Sequence, residues 1–178
     1  AELISFKGII NATTNLILSR MEEGESFDDA VKYCQSIGIA ETDPSGDVDG
    51  WDAAIKVSAL ATVLMDASRP LKPQEVERKG IREITAEMVK QAKVEKKRWK
   101  LVASAEREGE RIKARVAPEL VDSSSPLYGM MGSSSGLTFS TDVLPNYSVI
   151  VSEREGMKGG PEETAYGLFA DFIGVVRG

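Results

Sequence analysis

Apolar positions along this chain follow two rhythms in turn, and the change of rhythm predicts where helices give way to strands. Leu3 to Ile10 is an apolar-rich run containing Phe6 and Gly8, and it predicts a first strand. Asn11-Ala-Thr-Thr-Asn15 then supplies capping side chains for a helix over Leu16 to Glu23, closed by Gly24. Ser26-Phe-Asp-Asp29 opens a second helix with Ala30, Val31, Cys34 and Ile37 on its apolar side and Gly38 as its stop. Asp52 to Met65 predicts a third helix, almost wholly apolar apart from Asp52, Lys56, Ser58 and Thr62. A helix apolar nearly all round belongs in the middle of a fold.

Beyond the connector Arg69-Pro-Leu-Lys-Pro73, Gln74 to Lys79 predicts a short helical piece, and Thr85 opens an amphipathic helix to about Lys93. From Arg98 the period drops to two. Trp99, Leu101, Ala103 and Ala105 alternate with polar or mixed residues, a turn follows at Arg107-Glu-Gly-Glu110, and Ile112, Ala114 and Val116 complete a β-hairpin. Leu137 to Thr141 and Tyr147 to Ser152 read as two further strands. Gly156-Met-Lys-Gly-Gly-Pro161 turns into a last helix, with Pro161 at its first position and Glu162 and Glu163 in its first turn. There are no internal repeats. Helices first and strands later predict an α+β domain: a mixed, mostly antiparallel sheet with helices packed on one face.

Composition narrows the chemistry. A chain of 178 residues is long enough for one domain with a substantial core. Its net charge of −6 argues against a general nucleic-acid or membrane-surface partner, and no apolar run approaches the roughly 20 residues that span a bilayer. The single cysteine, Cys34, has no internal disulfide partner and suits a reducing, cytoplasmic compartment. There is no histidine, which removes Ser-His-Asp and Cys-His nucleophile systems and His-containing zinc sites. Acid/base work must fall to Lys, Asp, Glu, Tyr or Cys. A chain that starts without Met in a strand-like run is expected to be a piece of a larger protein.

The stretch Gly38 to Lys56 is the richest in chemistry. Glu41, Asp43, Asp47, Asp49 and Asp52 crowd a Pro- and Gly-broken loop that runs into the apolar helix, where Lys56 follows Asp52 at i+4 on one helix face. Most such pairs are exposed surface pairs. A lysine on a largely buried helix, however, must reach a pocket or a partner, and partial burial brings a lysine towards proton transfer at neutral pH. The carboxylates and the lysine together make a polar pocket for a small zwitterion. A calcium reading of Asp43, Ser45 and Asp47 fails because Val48 stands where an EF-hand needs Gly and Ala54 where it needs Glu; no metal site is expected.

Other motifs read as structure. Gly132-Ser-Ser-Ser-Gly136 matches a G-x-S-x-G elbow by letters, but with no histidine to serve it, it reads as a flexible serine loop. Lys96-Lys-Arg-Trp-Lys100 reads as a solvated face at the start of a strand. Gly156 to Gly160 precedes a helix, yet no Gly-Lys-Ser/Thr follows, and no G-x-G-x-x-G occurs anywhere.

Taken together, these motifs resemble the catalytic domain of homoserine dehydrogenases. The matching residues are Gly8-Ile-Ile-Asn-Ala-Thr-Thr-Asn-Leu-Ile-Leu18 with Arg20-Met21, and Gly38-Ile-Ala-Glu-Thr-Asp-Pro44 followed by Asp47, Gly50, Asp52-Ala-Ala and Lys56. Pro126-Leu127, Gly132, Thr141-Asp142, Gly160 and Thr164-Ala165 continue in family order. Two departures are Ala12 where the family has Gly, and Lys158 within the Gly156–Gly160 loop where a glycine is usual.

The resemblance implies that residues 1–178 form the catalytic, substrate-binding and dimerisation domain of an enzyme interconverting L-aspartate 4-semialdehyde and L-homoserine by hydride transfer with NAD or NADP, in threonine, methionine and isoleucine biosynthesis. The cofactor is bound mainly by a Rossmann domain; that domain, a second active-site lysine and a cation-holding linker are not in this chain. It also implies roles: Lys56 as proton donor or base, Asp52 orienting it and touching substrate, Glu41 on the substrate ammonium with Asp47 nearby, Thr13 and the backbone around Gly38 lining the pocket, and Gly38 and Gly160 near the cofactor. It implies a homodimer formed through the sheet. The residues themselves leave two alternatives open: an amino-acid-binding module without catalysis, and a non-catalytic dimerisation scaffold.

Overall fold

The computed structural model describes residues 1–152 and 161–177. The six-stranded sheet is laid out in the order β2-β4-β3-β1-β5-β6. Its strands are β1 (Leu3–Ile9), β2 (Glu77–Arg78), β3 (Lys97–Glu108), β4 (Arg111–Asp122), β5 (Ser135–Thr141) and β6 (Tyr147–Val151). The short β2 runs parallel to β4, and every other neighbour pair is antiparallel. The helices are α1 (Ala12–Glu22), α2 (Phe27–Ser36), α3 (Ser45–Val48), α4 (Trp51–Leu64), α5 (Ala86–Val94) and α6 (Pro161–Arg177). The mixed α+β class expected from the pattern is the one observed.

Period two puts alternate β3 residues on opposite faces. Leu101, Ala103 and Ala105 join Phe6 of β1 and Ala114 and Val116 of β4 in a core on the helical side. Against them pack Ile17, Leu18 and Met21 of α1, and Ala53, Val57 and Ala61 of α4. Three alanines on the strands let the helices approach closely, and each fully buried Leu or Ile contributes about 2 kcal/mol through burial alone. The other face holds a smaller cluster of Ile9, Val102, Val121, Leu127 and Met130. Gly8 of β1 is needed where β5 crosses: an added Cβ would stand 2.0 Å from the Gly136 carbonyl oxygen.

Local signals explain most element starts. Ser26 accepts from the Asp29 amide and starts α2, and Thr85 accepts from the Met88 amide and starts α5. Five expectations need correction. The first helix begins at Ala12, not Leu16, because Asn11 itself is the cap and accepts from the Thr14 amide. Gln74 to Lys79 is a 3-10 turn over Pro73–Glu75 followed by β2, since Glu77 and Arg78 pair with Arg115 and Val116. The α4 helix is not enclosed: Ile55 is 55% and Val63 77% exposed on the side facing away from the sheet.

The remaining two differences lie in the serine loop and in β3. The serine loop is tied down, with Ser134 buried, its carbonyl accepting from Asn15 Nδ2 at 3.0 Å, and the Gly132 amide donating to Ser19 Oγ at 3.0 Å. Lys100 is fully buried rather than solvated. It lies beyond the last β1 pairing, where the chain has left the sheet for α1, and this gap admits its side chain. The loop Gly156–Gly160 and its preceding residues lie outside the described residues.

Candidate active site

The site forms where β1 runs into α1 and meets the start of α4. Asn11, 3% exposed, caps α1 through Oδ1, which accepts from the Thr14 amide and from Thr14 Oγ1, each at 2.8 Å. Its amide nitrogen faces the other way. Nδ2 donates to Asp47 Oδ1 at 2.6 Å and to Asp52 Oδ2 at 2.9 Å. Lys56 Nζ is 2.8 Å from that same Asp52 oxygen and also donates to the Ile10 carbonyl at 3.3 Å. Asn11, Asp47, Asp52 and Lys56 are therefore one cluster, although Asn11 lies far from the others in sequence.

The acidic loop is positioned by a support that the sequence does not advertise. The Ile81 amide donates to the Val48 carbonyl at 2.8 Å, Arg78 Nη1 donates to the Asp49 carbonyl, and Arg82 pairs with the Asp49 carboxylate. Gly80 lies against this turn so closely that a Cβ would meet the Val48 carbonyl oxygen at 2.2 Å. Gly50, with φ of +81°, then sets the left-handed turn into α4.

The five loop carboxylates do separate jobs. Asp47 and Asp52 face Asn11. Asp49 is committed to Arg82, and Asp43 accepts from the Ser45 hydroxyl and amide, which holds its carboxyl below the usual range. Glu41 is exposed, and its own backbone carbonyl accepts from Gln35 Nε2 at 3.3 Å. Among the described residues its side chain makes none of the contacts that join the cluster. Thr13 is buried and donates its hydroxyl to the Ile39 carbonyl at 3.3 Å, tying α1 to the turn after α2. Gly38, φ +77°, terminates that helix. Gly160 lies outside the described residues.

This geometry leaves directed valences. A lysine ammonium has three donors; among the described residues two of those of Lys56 go to Asp52 and Ile10, leaving one for a ligand oxygen. The Lys56 side chain is 50% exposed, reaching outward from the apolar helix. Among the described residues, Asp47 Oδ2 and Asp52 Oδ1 remain as acceptors for an ammonium or hydroxyl. Beside Lys56 the exposed Ile55, Ala59 and Val63 make an apolar flank. Among the described residues, no cluster of three His, Cys, Asp or Glu could hold a metal, and no helix is long and apolar enough to cross a membrane.

A second polar cluster, unmarked in the sequence, surrounds Lys100. Lys100 Nζ donates to Asn15 Oδ1 at 2.9 Å and to the Met130 carbonyl at 2.6 Å. Burial pulls its pKa down to about 8, partly opposed by Glu22, and Arg98 adds to the lowering. Glu22, paired with Arg98 at 3.2 Å, is pushed up by its own burial. Nothing in the basic run Lys96 to Lys100 marks which lysine turns inward.

An α+β domain with α1 and α4 packed on one sheet face, carrying a lysine–carboxylate couple at a strand–helix corner, is the class that fold and site define. The family model for homoserine dehydrogenase matches residues 1–173, and the chain belongs to that family. It is 34% identical over 174 residues to an NAD(+)-dependent homoserine dehydrogenase of Pseudomonas canavaninivorans, covering 97% of this chain and 47% of the relative. A crystal structure of a homoserine dehydrogenase from Thiobacillus denitrificans superposes with a TM-score of 0.88 at 30% identity, over 99% of this chain and 39% of that one. A hyperthermophilic archaeal homoserine dehydrogenase in complex with NADPH superposes with a TM-score of 0.75 at 32% identity, over 97% of this chain and 47% of that one. The chain spans about half the length of the curated relatives it matches.

Proposed function

We propose that this chain is the catalytic domain of a homoserine dehydrogenase that interconverts L-aspartate 4-semialdehyde and L-homoserine with NAD or NADP. The observation that carries the reading is the convergence of Asn11, Asp47, Asp52 and Lys56 at one corner of a domain of this family. The nicotinamide supplies or accepts the hydride when bound. The described residues offer it the open side of Lys56 with its apolar flank, and its main binding is assigned to a Rossmann domain.

In reduction, the free donor of Lys56 protonates the carbonyl oxygen as hydride reaches its carbon; in oxidation, Lys56 takes the hydroxyl proton. Asp52 holds the ammonium of Lys56 on the reacting side. Asp47 and Asp52, with Glu41 on the exposed loop, attract the substrate ammonium. Thr13, its hydroxyl spent on Ile39, acts by ordering the turn from Gly38 to Ala40. Gly38 and Gly160 are assigned to the cofactor side. A role in threonine, methionine and isoleucine biosynthesis follows from that substrate.

We infer also a cytoplasmic homodimer. The buried, unpaired thiol of Cys34 suits a reducing compartment. Among the described residues β6 is an edge strand, and it exposes Tyr147, Val149 and Val151, an apolar edge of the kind that a second copy covers. Sedimentation of the full-length protein reads this directly, a monomer overturning it.

The test is homoserine oxidation by the full-length gene product, with NAD and with NADP, comparing wild type to Lys56→Ala. Turnover lost in the variant, with fold intact, supports the reading. Undiminished turnover removes Lys56 from the mechanism. Homoserine binding without turnover in the wild type points to an amino-acid-binding module instead.

A further inference from the structure

We propose that Asn11 is a positioning residue for the Lys56–Asp52 couple, a role that rests on the function proposed above and assigns it one more group. A helix cap needs only the side-chain oxygen, and Ser, Thr or Asp serves that purpose as well as Asn. In this site the oxygen of Asn11 is fully engaged by Thr14, whose backbone amide can only donate. That donor fixes the amide's orientation and sends the NH2 group towards the carboxylates. Both N–H bonds are then used, one on Asp47 at 2.6 Å and one on Asp52 at 2.9 Å. An NH2 group is the part of asparagine that a cap does not require.

The consequence is geometric. Two like-charged carboxylates stand on either side of one neutral donor, which draws an oxygen of each inward. Asp52 Oδ2 is shared between Asn11 and Lys56, so Asp52 Oδ1 is left for substrate, and Asp47 Oδ2 likewise. The residue before Asn11 contributes as well, since the Ile10 carbonyl accepts from Lys56. The single corner between β1 and α1 therefore fixes both members of the couple. With Asn11 buried, its side-chain oxygen engaged by Thr14 and both side-chain N–H bonds by carboxylates, four hydrogen bonds hold this orientation.

The experiment uses the full-length protein with Asn11→Ser, Asn11→Asp and Asn11→Ala. Asn11→Ser keeps a cap and loses both donors. It is expected to lower kcat for homoserine oxidation by about 10- to 100-fold, the scale of a small misplacement of reacting groups, with a melting temperature close to that of wild type. Asn11→Asp also keeps the cap but puts a third carboxylate against Asp47 and Asp52; it loses more activity and alters the pH–rate profile. Asn11→Ala loses cap and donors and melts earlier. Asn11→Ser with kcat and KM within twofold of wild type overturns the proposal, as does a loss of activity that merely follows melting temperature across the three variants. Wild type that fails to oxidise homoserine overturns the proposed function instead. The positioning role is then read from the side-chain amide NMR signals of Asn11, which shift in both Asp47→Ala and Asp52→Ala if the bridge exists and in neither if it does not.

Discussion

Lys56 Nζ stands 2.8 Å from Asp52 Oδ2, one helical turn away, while about half of the lysine side chain faces outward. An ion pair so exposed contributes only about 0.3–0.5 kcal/mol to stability. The burial of Val57, Ala53 and Ala61 holds α4 in place instead. The pair is therefore open to substitution without loss of the fold, and what it does is read in activity.

Asp52→Asn preserves shape but removes the charge that holds the ammonium of Lys56. Turnover of homoserine is expected to fall on the order of 10²-fold while the melting temperature moves little. Combined with Lys56→Ala, the two losses should be far from additive, because each residue acts through the other. Additive losses in steady-state kinetics would show that they work independently.

Gly80→Ala should act on the site from beneath. The added methyl has no room against the Val48 carbonyl or the Asp49 Cα, both backbone atoms at 2.2 and 2.5 Å. The turn carrying Asp47 and Asp49 must shift. Chemical unfolding is expected to show a loss of about 2–4 kcal/mol, with homoserine affinity weakened at the same time. A variant as stable as wild type would mean that the turn has slack.

Stability should depend on pH through Lys100. Burial lowers its pKa from 10.5 in the unfolded chain to about 8 in the folded one. Below pH 8 both states hold the proton and the full cost of burying the charge is present. Between about 8 and 10.5 only the unfolded chain keeps it, so raising the pH favours the folded state. Compared with Lys100→Met, wild type should therefore gain about 2 kcal/mol between pH 7 and pH 9.5. Parallel urea-unfolding curves for the two proteins would contradict this, and Glu22 and Arg98 are the neighbouring charges to vary next.

The thiol of Cys34 should be inert in the folded protein. It is fully buried, and burial pushes its pKa up to about 11 despite the nearby Arg20. At pH 8, iodoacetamide is expected to label it only after denaturant is added. Rapid labelling of the native protein, followed by mass spectrometry, would show that the packing between α1 and α2 opens readily.

Several elements could be read directly because their causes are local. Ser26 and Thr85 announce the starts of α2 and α5 by capping an amide three residues on, and the alternation from Trp99 to Val116 announces the β3–β4 hairpin. The i, i+4 spacing made neighbours of Asp52 and Lys56 in any helix that included both. The family motif in turn singled out Asp47 and Glu41, although the structure joins only Asp47 to the cluster.

What remained hidden was set by residues distant in the chain. As a string, Asn11 is only a helix cap, and its second role exists because α4 is folded back across the end of β1. Gly80 gains its meaning from Val48 lying against it, and β2 forms because Arg115 and Val116 are there to pair with. Lys100 is one of several lysines in a basic run, and it turns inward where β1 has ended and Asn15 and Met130 offer acceptors. The longer helices, the β3–β4 hairpin, the class of fold and the charged couple were legible in the chain, since periodicity and capping act over a few residues. Tertiary structure alone decided which polar groups meet, because a hydrogen bond between distant residues depends on how whole elements pack.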